Sequence, residues 1–196
     1  MQKLDRETWL TECAQFILDD IIAPHCDIPN TQFRISIGFP SGKPSKVLAQ
    51  CWKTEASADG VSEIFVSPTV DDSIDILAAL THELIHFTDN CASGHQNHFA
   101  KVARLVGLEG KLTATVAGQD LQTLLALYVD LLGPIPHAKL DATLSGKPKQ
   151  KTRMLKVECN DQACGFSFRT TQTHIDALHA ESICPACSAS FLKLAE

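Results

Sequence analysis

The segment Thr81-His82-Glu83-Leu84-Ile85-His86 constrains this chain more than any other. Histidines four residues apart lie one turn apart on a helix and project from one face, so two imidazoles can meet a single cation while Glu83 stands beside them. Leu77, Leu80, Leu84 and Phe87 recur at three and four residues as an apolar stripe, which leaves His82, His86 and Asp89 on the opposite side. The pattern predicts a helix from about Asp71 to Asp89, with Asp71 and Asp72 where acidic and capping residues belong. Two imidazoles are one ligand short of a catalytic zinc site, which takes three protein ligands and keeps its fourth position for water. Eight residues separate His86 from His95. That is enough for the helix to end, for the chain to turn at Ser93-Gly94, and for His95 to return as the third ligand. His98 and Glu109 compete for the same place.

Composition bounds the rest. A chain of 196 residues that is 44% hydrophobic can hold one domain with a core plus a small appendage. Its start, Met1-Gln2-Lys3-Leu4-Asp5-Arg6-Glu7, is polar and mixed in charge, and no run of about 18 apolar residues occurs. These features predict a cytoplasmic protein without a membrane span. Of eight cysteines, four carry metal-ligand spacing, while Cys13, Cys26, Cys51 and Cys91 show no disulfide-like pattern and read by default as small buried apolar filler. Net charge is −6, which argues against a protein that coats nucleic acid all over. Residues 1–138 hold 9 Lys and Arg against 17 Asp and Glu, a balance of −8, and residues 139–196 hold 8 against 6, a balance of +2.

Along the chain, residues 3–22 read as an amphipathic helix stopped by Pro24. Three short β-like runs follow, 33–38, 46–52 and 61–66, and predict a small antiparallel sheet whose edge can hold an extended peptide through main-chain hydrogen bonds. A second helix is expected from about His95 to Val106, with Phe99, Val102, Ala103 and Val106 buried, and a third from Gln119 to Leu132, with Leu121, Leu124, Leu125, Tyr128 and Leu132 in its core stripe. Residues 139–152 lose periodicity and read as a linker. Lys147, Lys149, Lys151, Arg153 and Lys156 lie within ten residues that contain no acid, a run that suits phosphate contact as well as plain solvation.

The last segment, residues 153–196, pairs Cys159 and Cys164 with Cys184 and Cys187. Four thiolates in two close pairs are the ligand set of a closed structural zinc site, and a segment this short needs the metal to fold. The gap in the first pair is wider than the usual two residues, so its turn must be looser. Gly165 to Thr170 alternates as a strand and Thr173 to Leu178 reads as a short helix. The segment reads as a zinc ribbon.

His82-Glu83-x-x-His86, eight intervening residues, then Gly94-His95 with Phe99 four positions on resembles the SprT-like zinc metalloprotease family, whose motif continues in a GHGxxF-like box. Members typically join this domain to a C-terminal zinc ribbon. Gln96 stands where the family has a glycine. The resemblance implies an α+β chain: a zincin-like protease domain over 1–138, a basic linker over 139–152 and a four-cysteine zinc ribbon over 153–196. It implies one catalytic and one structural zinc ion. In that reading Glu83 is the general base and His82, His86 and His95 hold the catalytic zinc. The implied substrates are proteins bound or crosslinked to DNA, with DNA, single-stranded or frayed, as a second partner. Two other readings stay open: a zinc peptidase that cleaves a specific regulator protein, and a non-catalytic DNA-binding or transcription-associated module whose histidine site is only structural. Glu83 argues against the latter, since a structural site has no use for a base.

Overall fold

In the computed structural model the chain forms two units, Met1–Ser145 and Gly146–Glu196. The described residues are 4–41, 47–144, 154–177, 182–189 and 191–194. Lys147, Lys149, Lys151 and Arg153 of the basic run lie outside them; Lys156 is exposed and paired with Glu158 at 2.9 Å.

The first unit begins with helix α1 (Arg6–Phe16), capped by Asp5, whose carboxylate accepts from Thr8 N at 2.7 Å. The single helix expected over 3–22 changes character partway. Residues Ile17–Ile22 form a π-helical turn, closed by the bond from Ala23 N to Leu18 O at 2.8 Å. The wider turn keeps Ile17, Leu18, Ile21 and Ile22 all buried, a broader apolar face than an α-helical stripe supplies.

Strands β1 (Phe33–Ile37), β2 (Ala49–Trp52) and β3 (Ser62–Val66) make one sheet in the order β1-β3-β2. The sheet is mixed, which corrects the antiparallel expectation: β1 pairs with β3 in parallel, Ile35 opposite Ile64, and β2 pairs with β3 antiparallel, Cys51 opposite Ile64. The physical reason is burial. Strand β3 alternates buried and half-buried positions along its length and takes the central place, which leaves one edge of β2 without a strand partner among the described residues.

Helix α2 (Ser73–Thr88) starts at Asp72, whose side chain accepts from Asp75 N at 2.9 Å. The expected two-sided helix is buried on both sides, from Ile76 to Phe87 with only Ala79 less than fully covered. It packs on β2 and β3, on α3 (Asn97–Leu105), on α4 (Gln119–Leu132), and on β5 (Ala114–Ala117) of a hairpin whose other strand is β4 (Leu108–Lys111). That hairpin had no counterpart among the sequence expectations. On α4 the expected stripe is narrower than predicted: Leu121 and Leu125 are buried, Tyr128 and Leu132 pack partly, and Leu124 is 45% exposed. Trp9, fully buried, donates from Nε1 to Gly133 O at 2.9 Å and ties α1 to the end of α4. Among the described residues no helix is long and apolar enough to cross a membrane.

The second unit is a three-stranded antiparallel sheet, β7-β6-β8, built from β6 (Leu155–Cys159), β7 (Ser167–Thr170) and β8 (Leu192–Leu194), with a short helix α5 (Gln172–Asp176) after β7. Among its described residues the buried apolar ones are Val157, Cys159 and Cys184, too few to form a core by themselves. The sheet and the four-cysteine cluster are consistent with a zinc ribbon.

Candidate metal centre

The α2 backbone presents His82 and His86 on one face, where the sequence spacing put them, and both are buried. At the end of α2 the chain reverses through Asn90 to Gly94. Asp89 Oδ2 accepts from Ser93 N at 3.0 Å, and Gly94 takes a φ of 54°, a left-handed value that suits glycine. His95 belongs to this turn rather than to the following helix, which begins at Asn97. The turn carries its ring back over α2: His95 Nε2 lies 3.2 Å from His82 Nε2 and 3.3 Å from His86 Nε2.

These separations fit one cation. Nitrogens held at about 2.0–2.1 Å from a tetrahedral zinc lie about 3.3 Å from one another. The three ligand atoms all fall within 4.8 Å of one another. The competitors are elsewhere. His98 Nε2 bonds the Thr88 hydroxyl at 2.8 Å, and the Glu109 carboxylate lies over Gly118 in the hairpin region.

Two residues that sequence reasoning did not assign to the site complete its surroundings. Thr115, on β5, places its hydroxyl 2.8 Å from His82 Nδ1. When Nδ1–H donates to that hydroxyl, Nε2 turns its lone pair to the cluster. Phe99, fully buried on α3, stacks on His86 with ring centroids 4.3 Å apart and lies 4.6 Å from His82 and 5.1 Å from His95. It forms an apolar floor that fixes all three rings. No signal in the sequence pairs Thr115 with His82, because the contact spans two elements whose packing is tertiary; for Phe99 the spacing four residues after His95 was such a signal.

Electrostatics agree with a cation site. Burial first, and then the neighbouring imidazoles, lower His82 to about 3; burial and His95 lower His86 to about 4; burial lowers His95 as well. Three neutral imidazoles at neutral pH are ready to donate to a metal without first losing protons. Glu83, also buried, is raised to about 7 by burial, opposed by the hydrogen bond that its Oε2 accepts from Cys51 N at 2.7 Å. Its carboxylate opens on a cleft of about 300 Å³ lined by the three histidines, Gln50, Cys51 and Cys91. An adjoining, more apolar lobe of about 340 Å³ lies between β2 and the hairpin, against Leu48, Ala79 and Val116.

In the second unit Cys159 ends β6, Cys164 follows in a turn built on Asp161, and Cys184 and Cys187 lie in the segment before β8. Asp161 accepts through its side chain from Ala163 N at 2.9 Å and through its carbonyl from Cys164 N at 3.1 Å, which is how the wider gap closes. The sulphur separations are 3.7 Å for Cys159 and Cys187 and 3.8 Å for Cys164 and Cys184. Thiolates at about 2.3 Å from a tetrahedral zinc stand about 3.8 Å apart.

Among the described residues two groups of side chains have the geometry of zinc sites, three histidines and four cysteines. No family model matches it, nor does any curated protein or solved structure at a significant level.

Proposed function

We propose that this chain is a zinc-dependent endopeptidase of the SprT-like kind that acts on proteins bound or crosslinked to DNA. The observation that carries the reading is the placing of Glu83. One carboxylate, buried, beside three converging imidazoles and facing a cleft, is what a hydrolytic site needs and a structural one does not.

His82, His86 and His95 would hold a zinc ion, which when bound would supply Lewis acidity to the scissile carbonyl and lower the pKa of water. Everything else falls to the protein. Glu83, with its Oε2 held by the Cys51 amide, takes the proton of the attacking water and passes it to the leaving amine nitrogen. Thr115 fixes the ring of His82. On the open edge of β2 the strand alternation turns Ala49 to the same side as Cys51, so its N–H and C=O suit an extended peptide laid along the cleft. Main-chain recognition of that kind leaves side chains largely unread and suits varied protein substrates.

The DNA part of the reading is supported by charge: −8 over residues 1–138 against +2 over 139–196, where the basic run precedes the four-cysteine unit. In that unit Phe166 and Phe168 are half-buried neighbours with ring centroids 6.0 Å apart, an aromatic pair suited to stacking on bases, and Arg169, next along β7, is exposed.

The test uses the zinc-loaded full chain and a DNA-binding protein as substrate, with and without single-stranded DNA. Cleavage is expected, stimulated by DNA and less so as salt rises. Glu83→Gln is expected to retain both zinc ions and lower kcat by about 10²- to 10⁴-fold. Cleavage by Glu83→Gln at the wild-type rate would sink the reading. Cleavage indifferent to DNA would move the substrate to a specific protein partner.

A further inference from the structure

One wall of the cleft carries a pair of thiols that hydrolysis does not use. Cys51 on β2 and Cys91 in the turn after α2 both line it, next to His86, Gly94 and His95. The Cys91 thiol reaches the Cys51 residue itself, its Sγ 3.8 Å from Cys51 O. Neither is the buried filler that the sequence suggests: both are partly exposed, whereas Cys13 is fully buried.

Cys91 reaches this place through an unfavourable backbone. Asn90 and Cys91 have φ values of 53° and 61°, so two consecutive non-glycine residues are left-handed, a conformation asparagine tolerates and cysteine does not favour. Specific bonds hold them there. Asn90 Oδ1 accepts from Thr54 N at 2.9 Å, Asn90 Nδ2 donates to the Glu55 carboxylate at 3.1 Å, and Cys91 N donates to His86 O at 2.7 Å. The segment from Cys51 to Glu55 and the turn at Asn90-Cys91 are thus clamped together with both cysteines on one wall of the cleft. Strain kept by surrounding contacts is a mark of a position with a task.

We propose that Cys51 and Cys91 are a modification site, a dithiol that peroxide converts to a reversible disulfide on the wall of the metal cleft. The Cys91 sulphur attacks the O–O bond of hydrogen peroxide, keeps one oxygen as sulfenic acid and releases the other as water. The Cys51 thiol then attacks that sulphur, the S–S bond forms, and the sulfenic oxygen leaves as a second water. Two thiols lose two electrons and two protons, one peroxide becomes two waters, and a small dithiol reverses the bond by exchange. The Cys51 sulphur is engaged by the Ser62 hydroxyl at 3.6 Å within the sheet, while Cys91 stands in the turn at the cleft, which casts Cys91 as the attacking thiol and Cys51 as the resolving one.

This inference does not rest on the peptidase reading, and its test reads thiols rather than cleavage. The zinc-loaded full chain is treated with one equivalent of hydrogen peroxide, alkylated, and digested with trypsin without reduction. The expected product joins the peptides 47–53 and 54–101, which hold Cys51 and Cys91 as their single cysteines. It should be two hydrogens lighter than the sum of its parts and lost on treatment with dithiothreitol. Alkylation of both cysteines should slow at least tenfold on oxidation. In Cys51→Ser, Cys91 is expected to stop at the sulfenic acid and react with dimedone. Full alkylation of Cys51 and Cys91 after peroxide, or either one joined to a different cysteine, overturns the proposal.

Discussion

His82 shows how much of this site depends on single contacts. Its Nε2 meets the other imidazoles only while the ring keeps its orientation, and the contact at the far nitrogen is the Thr115 hydroxyl at 2.8 Å. Removing that hydroxyl leaves a buried ring nitrogen unsatisfied and the tautomer unset. Thr115→Val is expected to weaken zinc binding at the histidine site about 10- to 100-fold, read by competition with a chromogenic chelator, while Thr115→Ser stays close to wild type. Equal affinity for Thr115→Val would remove the residue from the site. Phe99 acts differently, by packing. It touches all three rings, so a polar replacement would disturb their spacing without touching any ligand atom.

At the level of elements, the β4–β5 hairpin matters out of proportion to its length, because it carries Thr115 to α2. Its register depends on the glycine that follows it. Gly118 N donates to Gly107 O at 2.9 Å, and a Cβ on Gly118 would stand 2.9 Å from that same oxygen and 2.5 Å from Glu109 Oε1. The Glu109 side chain can swing aside. The Gly107 carbonyl cannot without loosening the bond that joins the hairpin to α4. Gly118→Ala is therefore expected to cost about 1–3 kcal/mol in chemical denaturation, with no recovery in the double variant Gly118→Ala/Glu109→Ala. Full recovery in the double variant would show that only the flexible carboxylate was in the way.

For the whole molecule, the two clusters belong to separate units and should fill and empty independently. Elemental analysis is expected to find two zinc ions per chain, one lost in His95→Ala and the other in Cys184→Ala; a single ion that His95→Ala does not touch would remove the histidine site. Acid should destabilise the metal-free protein. His82 and His86, lowered to about 3 and 4 from an ordinary 6.5, bind protons in the unfolded chain before the folded one as pH falls below 6.5. Glu83, raised to about 7 from 4.5, acts in the opposite sense, since the folded chain holds that proton first. His82 and His86 against one carboxyl leave stability falling from pH 6.5 to 4.5 at about 1.4 kcal/mol per pH unit, and His95, lowered in the same sense, steepens the fall. Melting temperatures of the chelator-stripped protein across that range check it, and His86→Gln should flatten the dependence. Stability that rose on acidification would contradict the burial of these imidazoles.

Features carried by short spacings were legible in the order of residues alone. His82, Glu83 and His86 share a helix face because 3.6 residues make a turn. The extent of α4 from Gln119 to Leu132, and the pairing of four cysteines by two short gaps, follow from equally local rules. The return of His95 was legible because Ser93-Gly94 is turn chemistry at the right distance. Contacts between elements remote in sequence were settled by folding: the parallel pairing of β1 with β3, the burial of α2 on both sides, Thr115 behind His82, the Cys51 amide on Glu83, and the meeting of Cys51 with Cys91. Periodicity reports that a residue faces inward and says nothing of what it meets there. Partners 30 or 40 residues apart are chosen by packing, which compares whole arrangements of the chain rather than neighbours along it.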